Sequence, residues 1–274
     1  MLECVVNISE GRNEEILASF ASLASRALID LHSDPAHNRS VFTLAGDAVA
    51  GASRALTKDV ISRLDIRAHT GVHPRIGVVD VVPFVPIGDE LKPEGNLEEA
   101  IAARDEFARW AGEEVGLPCF LYGPERSLPD VRRQAFAELQ PDFGPDHPHE
   151  TAGACCVGAR RALVAYNVIL DIDDLALARS IATAIRSPAV RALGFGVGDE
   201  AQVSCNLIAP WAVGPADVYD EIADRAPIRR GELVGLVPAS VLDAIAKERW
   251  PILGLRDEAT IEARVAALDR KGVG

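Results

Sequence analysis

Two kinds of apolar pattern recur along the chain and predict its secondary structure. Residues 2–8, L-E-C-V-V-N-I, are apolar enough for a buried strand. A polar segment follows, and Ile16, Phe20 and Leu23 then recur at helical spacing behind Asn13, a residue type that favours helix N-caps. The chain is therefore predicted to begin with a strand, a turn and a helix.

The same patterns predict a repeated order of elements in the rest of the chain. The first half is assigned strands at 27–32, 40–45, 76–85 and 119–122, with helices at 47–64, capped by Asp47, and at 96–115, opened by a capping box. The second half is assigned strands at 162–170, 194–197, 202–208 and 233–237, with helices at 173–186, at 215–225 and over Ile261, Val265 and Leu268. Two successive strand-helix-strand-strand-helix-strand units predict an α/β protein, an α+β sandwich of two ferredoxin-like split-βαβ subdomains at 1–160 and 161–274.

Residues 123–153 form the longest stretch without either pattern. The segment is rich in proline, contains His147 and His149, and has only a short helical pattern around 132–139. Long irregular segments of this kind often carry function. We therefore predict an irregular functional loop.

Charge and cysteine content narrow the classes of partner. A formal net charge of -13 repels polyphosphates at long range, so nucleic acid is not an expected partner. The chain has neither an apolar run long enough to span a membrane nor the pattern of a signal peptide, which predicts a cytoplasmic protein without membrane contact. Its five cysteines lie mostly in apolar runs, and we expect buried reduced thiols without a disulfide.

The segment G-V-H-P-R contains the most suggestive histidine of the chain. His69 and His73 stand four residues apart, but Gly71 and Pro74 prevent the helix that would make them a metal pair. His73 lies in a proline-stiffened loop before a predicted strand, where an imidazole can transfer protons near neutral pH. A loop histidine bonded to a backbone carbonyl explains the same residues, and local chemistry does not decide between the two.

Eight motifs distributed over nearly the whole chain carry a family resemblance. In order, they are C-V-V-N-I-S-E-G-R-N, D-P-A-H-N-R-S-V-F-T, G-V-H-P-R-I-G-V-V-D-V-V-P-F-V-P, P-C-F-L-Y-G, P-D-F-G-P, V-G-A-R-R-A-L-V-A-Y-N, A-Q-V-S-C-N and L-V-G-L-V-P. With them the chain resembles the glutamate formimidoyltransferase family. The resemblance implies two α/β subdomains with a substrate tunnel between them, a homodimer, and transfer of the formimino group of N-formimidoyl-L-glutamate to N5 of tetrahydrofolate.

The resemblance also assigns roles to individual residues. His73 falls on the catalytic histidine of the family and would act as general base and acid, with His69 beside it as a residue that orients the loop. The folate-contacting loop falls on residues 144–153, and its flanks match the family better than its centre does. Its residues are Gly144, Pro145, Asp146, His147, Pro148, His149, Glu150, Thr151, Ala152 and Gly153.

Several polar residues inside the family-like motifs are candidates for substrate binding. An acidic chain that binds anionic folate and glutamate must concentrate cations locally. The candidates are Arg12, Arg39, Arg75 and Arg160, with exposed structural arginines as an equal alternative. Two further pairs have structural alternatives as well. They are Asp34 and Asn38, as turn formers, and Gln202 and Asn206 on one strand face, as partners in a buried hydrogen bond.

Departures from the family pattern leave the substrate open. Val72 stands where animal members have a glutamate, so a formyl or another one-carbon donor is an alternative to the formimino donor. A non-catalytic folate or amino-acid sensor and an amidine hydrolase are further alternatives. No metal is expected, because His147 and His149 have no acidic or cysteine pair at a recognised spacing.

Overall fold

The structure is a computed structural model that describes residues 1–71, 75–198 and 200–272, with only the backbone at 197, 271 and 272. The described chain divides into two compact units. The first contains residues 1–90 and 94–161 and the end of the chain from Leu268, and the second contains residues 91–93 and 162–267.

The first unit is built on a six-stranded mixed sheet. Its strands, in chain order, are β1 (Leu2–Ile8), β2 (Leu28–Asp34), β3 (Arg39–Ala45), β4 (Val79–Pro86), β5 (Cys119–Tyr122) and β6 (Cys155–Ala159). Their order across the sheet is β2-β3-β1-β4-β6-β5. The neighbours from β2 to β4 run antiparallel, whereas β6 runs parallel to both β4 and β5. All eight residues of β4 are buried, as expected for a central strand covered on both faces.

Four α-helices accompany this sheet in the described residues. They are α1 (Glu14–Leu23), α2 (Val49–Arg63), α3 (Glu98–Trp110), which continues as a π-helical turn at Ala111–Val115, and α4 (Leu128–Gln134). Phe20 of α1 meets Phe42 of β3 edge to face, and Phe107 of α3 packs on Phe84 of β4. A smaller cluster around Phe120 and Val131 fills the space between the sheet and α4.

Helix starts follow the predictions only in part. Asn13 caps α1, with its side-chain oxygen accepting the Ile16 N–H at 3.0 Å, so this prediction is confirmed. The predicted cap at Asp47 is wrong, because α2 begins after Ala48 without a side-chain cap. The predicted capping box before α3 is only half present, because Asn96 accepts the Glu98 N–H at 2.9 Å whereas Glu99 bonds the amino group of Met1.

The second unit contains a four-stranded antiparallel sheet of order β10-β7-β9-β8. Its strands are β7 (Val164–Leu170), β8 (Val190–Val197), β9 (Glu200–Leu207) and β10 (Ile228–Val234). The helices that follow them in the chain are α5 (Leu175–Ala184), α6 (Pro215–Ala223), α7 (Ala239–Asp243), α8 (Trp250–Leu253) and α9 (Ile261–Gly272). One face of the sheet packs on helices, and its core contains Tyr166, Val203 and Ile222.

The mixed α/β class predicted from the sequence is confirmed by these two sheets and their helices. The finer assignment of both units to the split-βαβ type stays a prediction. Three strand assignments need correction. The strand predicted at 194–197 begins already at Val190. The strand predicted at 76–85 begins only at Val79, and the strand predicted at 233–237 lies at Ile228–Val234. Gly235, at φ +81°, turns the chain out of the extended conformation after Val234.

The five cysteines are free and buried, which confirms the burial expected for them. Burial raises the pKa of the Cys4, Cys156 and Cys205 thiols, because a thiolate is disfavoured away from water. These side chains therefore behave as small apolar groups of the two cores.

Candidate active site

Three loops of the first unit meet at one end of its sheet. They are the turn after β1, the tip of the β2–β3 hairpin and the segment that leads into β4. Gly11 lies so close to the hairpin that an added Cβ would stand 2.5 Å from the backbone nitrogen of Arg39. Gly71 lies equally close on the other side, where an added Cβ would stand 2.4 Å from the His37 carbonyl oxygen. Glycine is required at both positions because backbone meets backbone there.

Asn38 joins the three loops. It is 8% exposed and adopts a left-handed backbone conformation at φ +48°, which asparagine tolerates better than most residues. Its side-chain oxygen accepts the Gly11 N–H at 2.9 Å, and its side-chain nitrogen donates to the Thr70 carbonyl at 3.0 Å. One carboxamide thus ties the first loop to the third.

Arg12 forms hydrogen bonds to the other two loops, whereas Asp34 forms hydrogen bonds within the hairpin tip. Arg12 donates from Nε to the Pro35 carbonyl at 2.8 Å and from Nη1 to Thr70 Oγ1 at 3.2 Å, while its side chain remains exposed. Asp34 accepts the Ala36 and His37 N–H groups, each at 2.9 Å. Asp34 is therefore the turn former of the hairpin tip.

His69 and Arg75 flank the segment 72–74 and contact each other. Arg75 donates from Nε to His69 Nε2 at 3.0 Å and from Nη2 to the His37 carbonyl at 3.1 Å. Burial and the nearby charge of Arg75 lower the pKa of His69 from its ordinary value. His69 is thus a neutral acceptor that holds Arg75 in place.

Arg39, Arg75 and Arg132, hereafter the arginine cluster, interact electrostatically with each other and with Asp34 and Asp80. Three guanidinium groups against two carboxylates leave a net positive charge. Arg39 Nε and Arg75 Nη1 are buried and have no hydrogen-bond partner among the residues that the structure describes. Burial lowers the pKa of Arg75 to about 10 and lowers that of Arg39, although Asp34 and Asp80 oppose the shift. Buried, unpartnered N–H donors of this kind mark a place where an anion would be stabilised.

Asp80 anchors this region from the start of β4. Its carboxylate is 3% exposed, accepts the Ile76 N–H at 2.9 Å through Oδ1, and forms a short ion pair through Oδ2 with Arg132 of α4. A buried carboxylate requires such partners, since its desolvation is otherwise very unfavourable.

The end of the irregular loop packs against the segment that leads into β4. Gly77 and Gly153 form an isolated β-bridge, and an added Cβ on Gly77 would stand 2.1 Å from the Ala154 carbonyl oxygen. Backbone bonds join Ile66 to Thr151 at 2.7 Å and Val78 to Ala152 at 2.9 Å. Residues 144–153 are thereby brought next to the loops of the arginine cluster.

Two histidines of the irregular loop have different surroundings. His149 Nδ1 accepts the N–H groups of Thr151 at 3.3 Å and Ala152 at 3.0 Å, which closes the turn before Gly153. His147 is exposed and contacts Asp146 at 2.9 Å. Gly144, at φ +87°, makes the turn at the start of the loop. His149 is therefore structural, whereas His147 is presented to the surface.

Comparison with known proteins identifies the family. A family model described as the formiminotransferase domain, N-terminal subdomain, matches residues 1–160. The chain belongs to the formiminotransferase family. A glutamate formimidoyltransferase of Streptococcus pyogenes serotype M1 is 35% identical over 90% of this chain and 92% of its own length. A glutamate formimidoyltransferase of Thermoplasma acidophilum is 33% identical over 96% of both chains.

Longer family members also match. The formimidoyltransferase-cyclodeaminase of Sus scrofa is 32% identical over 98% of this chain but only 56% of its own length. This chain therefore spans about half of that relative, whereas it spans nearly the whole of the two shorter formiminotransferases.

The formiminotransferase fold brings together five of the residues expected to bind substrate. Arg12, Asp34, Asn38, Arg39 and Arg75 all belong to the three loops around Asn38. His73, the expected catalytic residue, and Val72 lie outside the described residues, between Gly71 and Arg75.

The two remaining candidates lie in the second unit. Gln202 and Asn206 occupy alternate positions of β9, while Val203 and Cys205 between them belong to the core. Gln202 is 5% exposed and Asn206 is exposed. The predicted common strand face is consistent with this alternation.

Residues around the formiminotransferase site that sequence reasoning missed are Thr70, Asp80 and Arg132. Asp80 lies within the V-V-D-V-V run, and one acidic residue inside an apolar strand is a detectable signal for a partnered buried charge. Arg132 gave no comparable signal, because its partner lies 52 residues away in the sequence.

Among residues 1–71, 75–198 and 200–272, no group of three or more histidine, cysteine, aspartate or glutamate side chains could hold a metal ion. No helix in the same part of the chain is long and apolar enough to cross a membrane.

Proposed function

We propose that this formiminotransferase moves the formimidoyl group of N-formimidoyl-L-glutamate to N5 of tetrahydrofolate. Two relatives that carry the name glutamate formimidoyltransferase match it over more than nine-tenths of their lengths, which supports this reaction. The substrates are small molecules, and tetrahydrofolate serves as co-substrate.

The arginine cluster is the observation that carries the proposal. The donor is a glutamate derivative with two carboxylates, and this chain has a net charge of -13 that would repel it. Arg39 and Arg75 offer two buried N–H donors without partners among the described residues. Charge-assisted hydrogen bonds from these N–H groups to a carboxylate of N-formimidoyl-L-glutamate would hold that substrate next to the segment 72–74.

His73 would transfer the protons of the reaction. N5 of tetrahydrofolate attacks the amidine carbon, and His73 takes the proton that N5 loses. The tetrahedral intermediate then breaks its bond to the glutamate nitrogen, to which His73 returns a proton. General acid-base transfer of this kind typically contributes ~10² to 10⁴ in rate, and holding both substrates in one site contributes through proximity.

The remaining candidates would contact the folate or complete the donor site. Residues 144–153 are proposed to contact the folate, which is consistent with their bonds to the chain at Ile66 and Val78. Gln202 and Asn206 are proposed to hydrogen-bond the pterin or the amidine. Arg12, Asp34 and Asn38 would act mainly by holding the loops in position.

The reaction is tested by incubating the protein with tetrahydrofolate and N-formimidoyl-L-glutamate while free glutamate and pterin absorbance are measured. Glutamate release that requires tetrahydrofolate supports transfer, and His73→Ala should abolish release while tetrahydrofolate still binds. His32→Ala, in β2 and outside the three loops, is the matched histidine control. Unchanged turnover in His73→Ala would refute the catalytic role.

The same assay separates the alternatives. A sensor would bind both ligands and release no glutamate, and an amidine hydrolase would release glutamate without folate. Replacing the donor with N-formyl-L-glutamate distinguishes a formyl donor from the formimidoyl donor. The cytoplasmic location expected from the sequence and the homodimer implied by the family resemblance remain part of the proposal. Light scattering after size-exclusion chromatography tests the dimer.

A further inference from the structure

Asp80 and Arg132 form an ion pair beside the proposed donor site. Both oxygens of Asp80 are engaged, one by the Ile76 N–H at 2.9 Å and the other by Arg132 Nη2. The Asp80 carboxylate is 3% exposed and the Arg132 side chain is 19% exposed. The pair joins the start of β4 to the last turn of α4.

Asp80 also acts on the two arginines with unpartnered donors. Its charge favours the protonated forms of Arg39 and Arg75, whereas the charge of Arg132 disfavours them. A carboxylate in this position would pair with Arg39 or Arg75 if it had no partner of its own, because a buried charge without a partner is strongly unfavourable. Arg132 supplies that partner.

We infer that Arg132 is a positioning residue of the anion site. By pairing with Asp80, it keeps that carboxylate away from the N–H groups of Arg39 and Arg75, which are then available to a substrate carboxylate. The chemical class of the ligand is a small dicarboxylate. Its identity as N-formimidoyl-L-glutamate rests on the proposed function. Arg132 acts through Asp80 and does not itself contact the substrate.

Substitution of Arg132 should therefore raise the donor KM, and a second substitution at Asp80 should restore it. In Arg132→Met, Asp80 keeps its charge and turns to Arg39 or Arg75, which competes with the substrate. Loss of a charge-assisted bond corresponds to a rise in the donor KM of about 10- to 100-fold. In Asp80→Asn/Arg132→Met the competing carboxylate is gone, and we expect the donor KM to return to within about threefold of wild type.

The experiment is steady-state kinetics on wild type, Arg132→Met, Arg132→Lys and the double variant, with thermal unfolding recorded for each. Arg132→Lys retains a positive charge beside Asp80 and should keep a donor KM near that of wild type, even where Arg132→Met is too unstable to assay. The KM for tetrahydrofolate is measured in parallel, and kcat should change less than the donor KM.

Arg126 and Asp142 provide a matched control pair. Arg126 bonds Asp142 at 2.6 Å, and Asp142 also accepts a backbone N–H, from Leu121 at 2.7 Å. Arg126→Met and Asp142→Asn/Arg126→Met thus repeat the same chemistry in the same unit without involving the arginine cluster. Their donor KM should equal that of wild type.

Binding of N-acetyl-L-glutamate, measured by calorimetry, gives a second readout that does not depend on turnover. This dicarboxylate carries no group to transfer. The inference stands if wild type binds N-acetyl-L-glutamate, Arg132→Met binds it more weakly and the double variant binds it as wild type does. This holds even if no transfer is detected and the proposed reaction fails. An unchanged Arg132→Met, or a double variant as weak as the single one, overturns the inference while leaving the reaction intact. A wild type that does not bind N-acetyl-L-glutamate overturns the inference, whereas the reaction itself is decided by the turnover assay.

Discussion

Arg75 donates its Nε–H to Nε2 of His69 at 3.0 Å, across the three-residue segment that contains His73. The bond requires an unprotonated Nε2, and burial together with the charge of Arg75 lowers the pKa of His69 accordingly. A neutral histidine and a charged arginine therefore close the base of this loop.

This relationship predicts an acid-sensitive loop. Because the folded-state pKa of His69 lies below the ordinary value of about 6.5, the unfolded chain binds more protons as the pH falls. The stabilising contribution of His69 is complete above about pH 6.5 and is lost as the pH falls toward its folded pKa. Urea unfolding at a series of pH values should show a shallower acid-side loss of the free energy of unfolding in His69→Gln than in wild type.

His32→Gln is the control for this measurement, since His32 lies in β2 outside the three loops. Urea unfolding of this variant at the same pH values shows what replacing a histidine elsewhere in the sheet does. An acid-side slope in His69→Gln identical to that of wild type would mean that the bond to Arg75 does not depend on a neutral imidazole.

Asn38 predicts a difference between two small substitutions. Asn38→Ala removes the bonds to Gly11 and Thr70 and places an alanine at φ +48°, where a side chain is strained. We expect a loss of about 2 to 4 kcal/mol in the free energy of unfolding, from unsatisfied buried groups and strain together. Asn38→Gly loses the same bonds without the strain and should be less destabilised by about 1 kcal/mol. Equal losses in denaturant unfolding would show that backbone strain at this position is not significant.

The sequence predicted the elements of this fold better than the contacts between them. Apolar runs such as residues 2–8 and caps such as Asn13 act through neighbours in the chain, and both were placed correctly. The early start of β10 was missed because Arg229 and Arg230 give that part of the strand a polar pattern, while they bond Glu200 of β9 across the sheet. Polar strand faces of this kind carry no hydrophobic signal.

In the candidate site, too, local features were predicted better than contacts between distant segments. Motifs near Arg12, Asn38 and Arg75 indicated which loops carry polar chemistry, but not that Asn38 joins two of them. The partnership of Asp80 with Arg132 depends on α4 and β4 being neighbours in space, which local patterns do not encode. Long-range pairing of this kind follows from the sheet order, and the sheet order requires the three-dimensional structure.

His149 predicts a local effect on the irregular loop. Its Nδ1 accepts two backbone N–H groups, so His149→Ala leaves Thr151 and Ala152 without these acceptors. Hydrogen exchange of the amides at 150–154 should become at least about tenfold faster, since loss of a hydrogen bond of about 1.4 kcal/mol changes a local opening equilibrium by that factor. His147→Ala should leave exchange at these amides unchanged, because the exposed His147 side chain bonds Asp146 and not these amides. Equal exchange rates in both variants would remove the structural role of His149.

Gly77 predicts a clear effect of a single added methyl group. An added Cβ would stand 2.1 Å from the Ala154 carbonyl oxygen and 2.6 Å from that of Ala152, so the bridge between Gly77 and Gly153 would have to open. We expect Gly77→Ala to lower the free energy of unfolding by about 1 to 3 kcal/mol, as overpacking typically does.

Gly51→Ala is the matched control, because Gly51 lies in α2 with nothing within 4 Å of an added Cβ. That variant should gain about 0.5 to 1 kcal/mol from helix propensity. Guanidinium unfolding of both variants decides the point, and a stabilised Gly77→Ala would show that the loop tolerates a wider separation from residues 152–154.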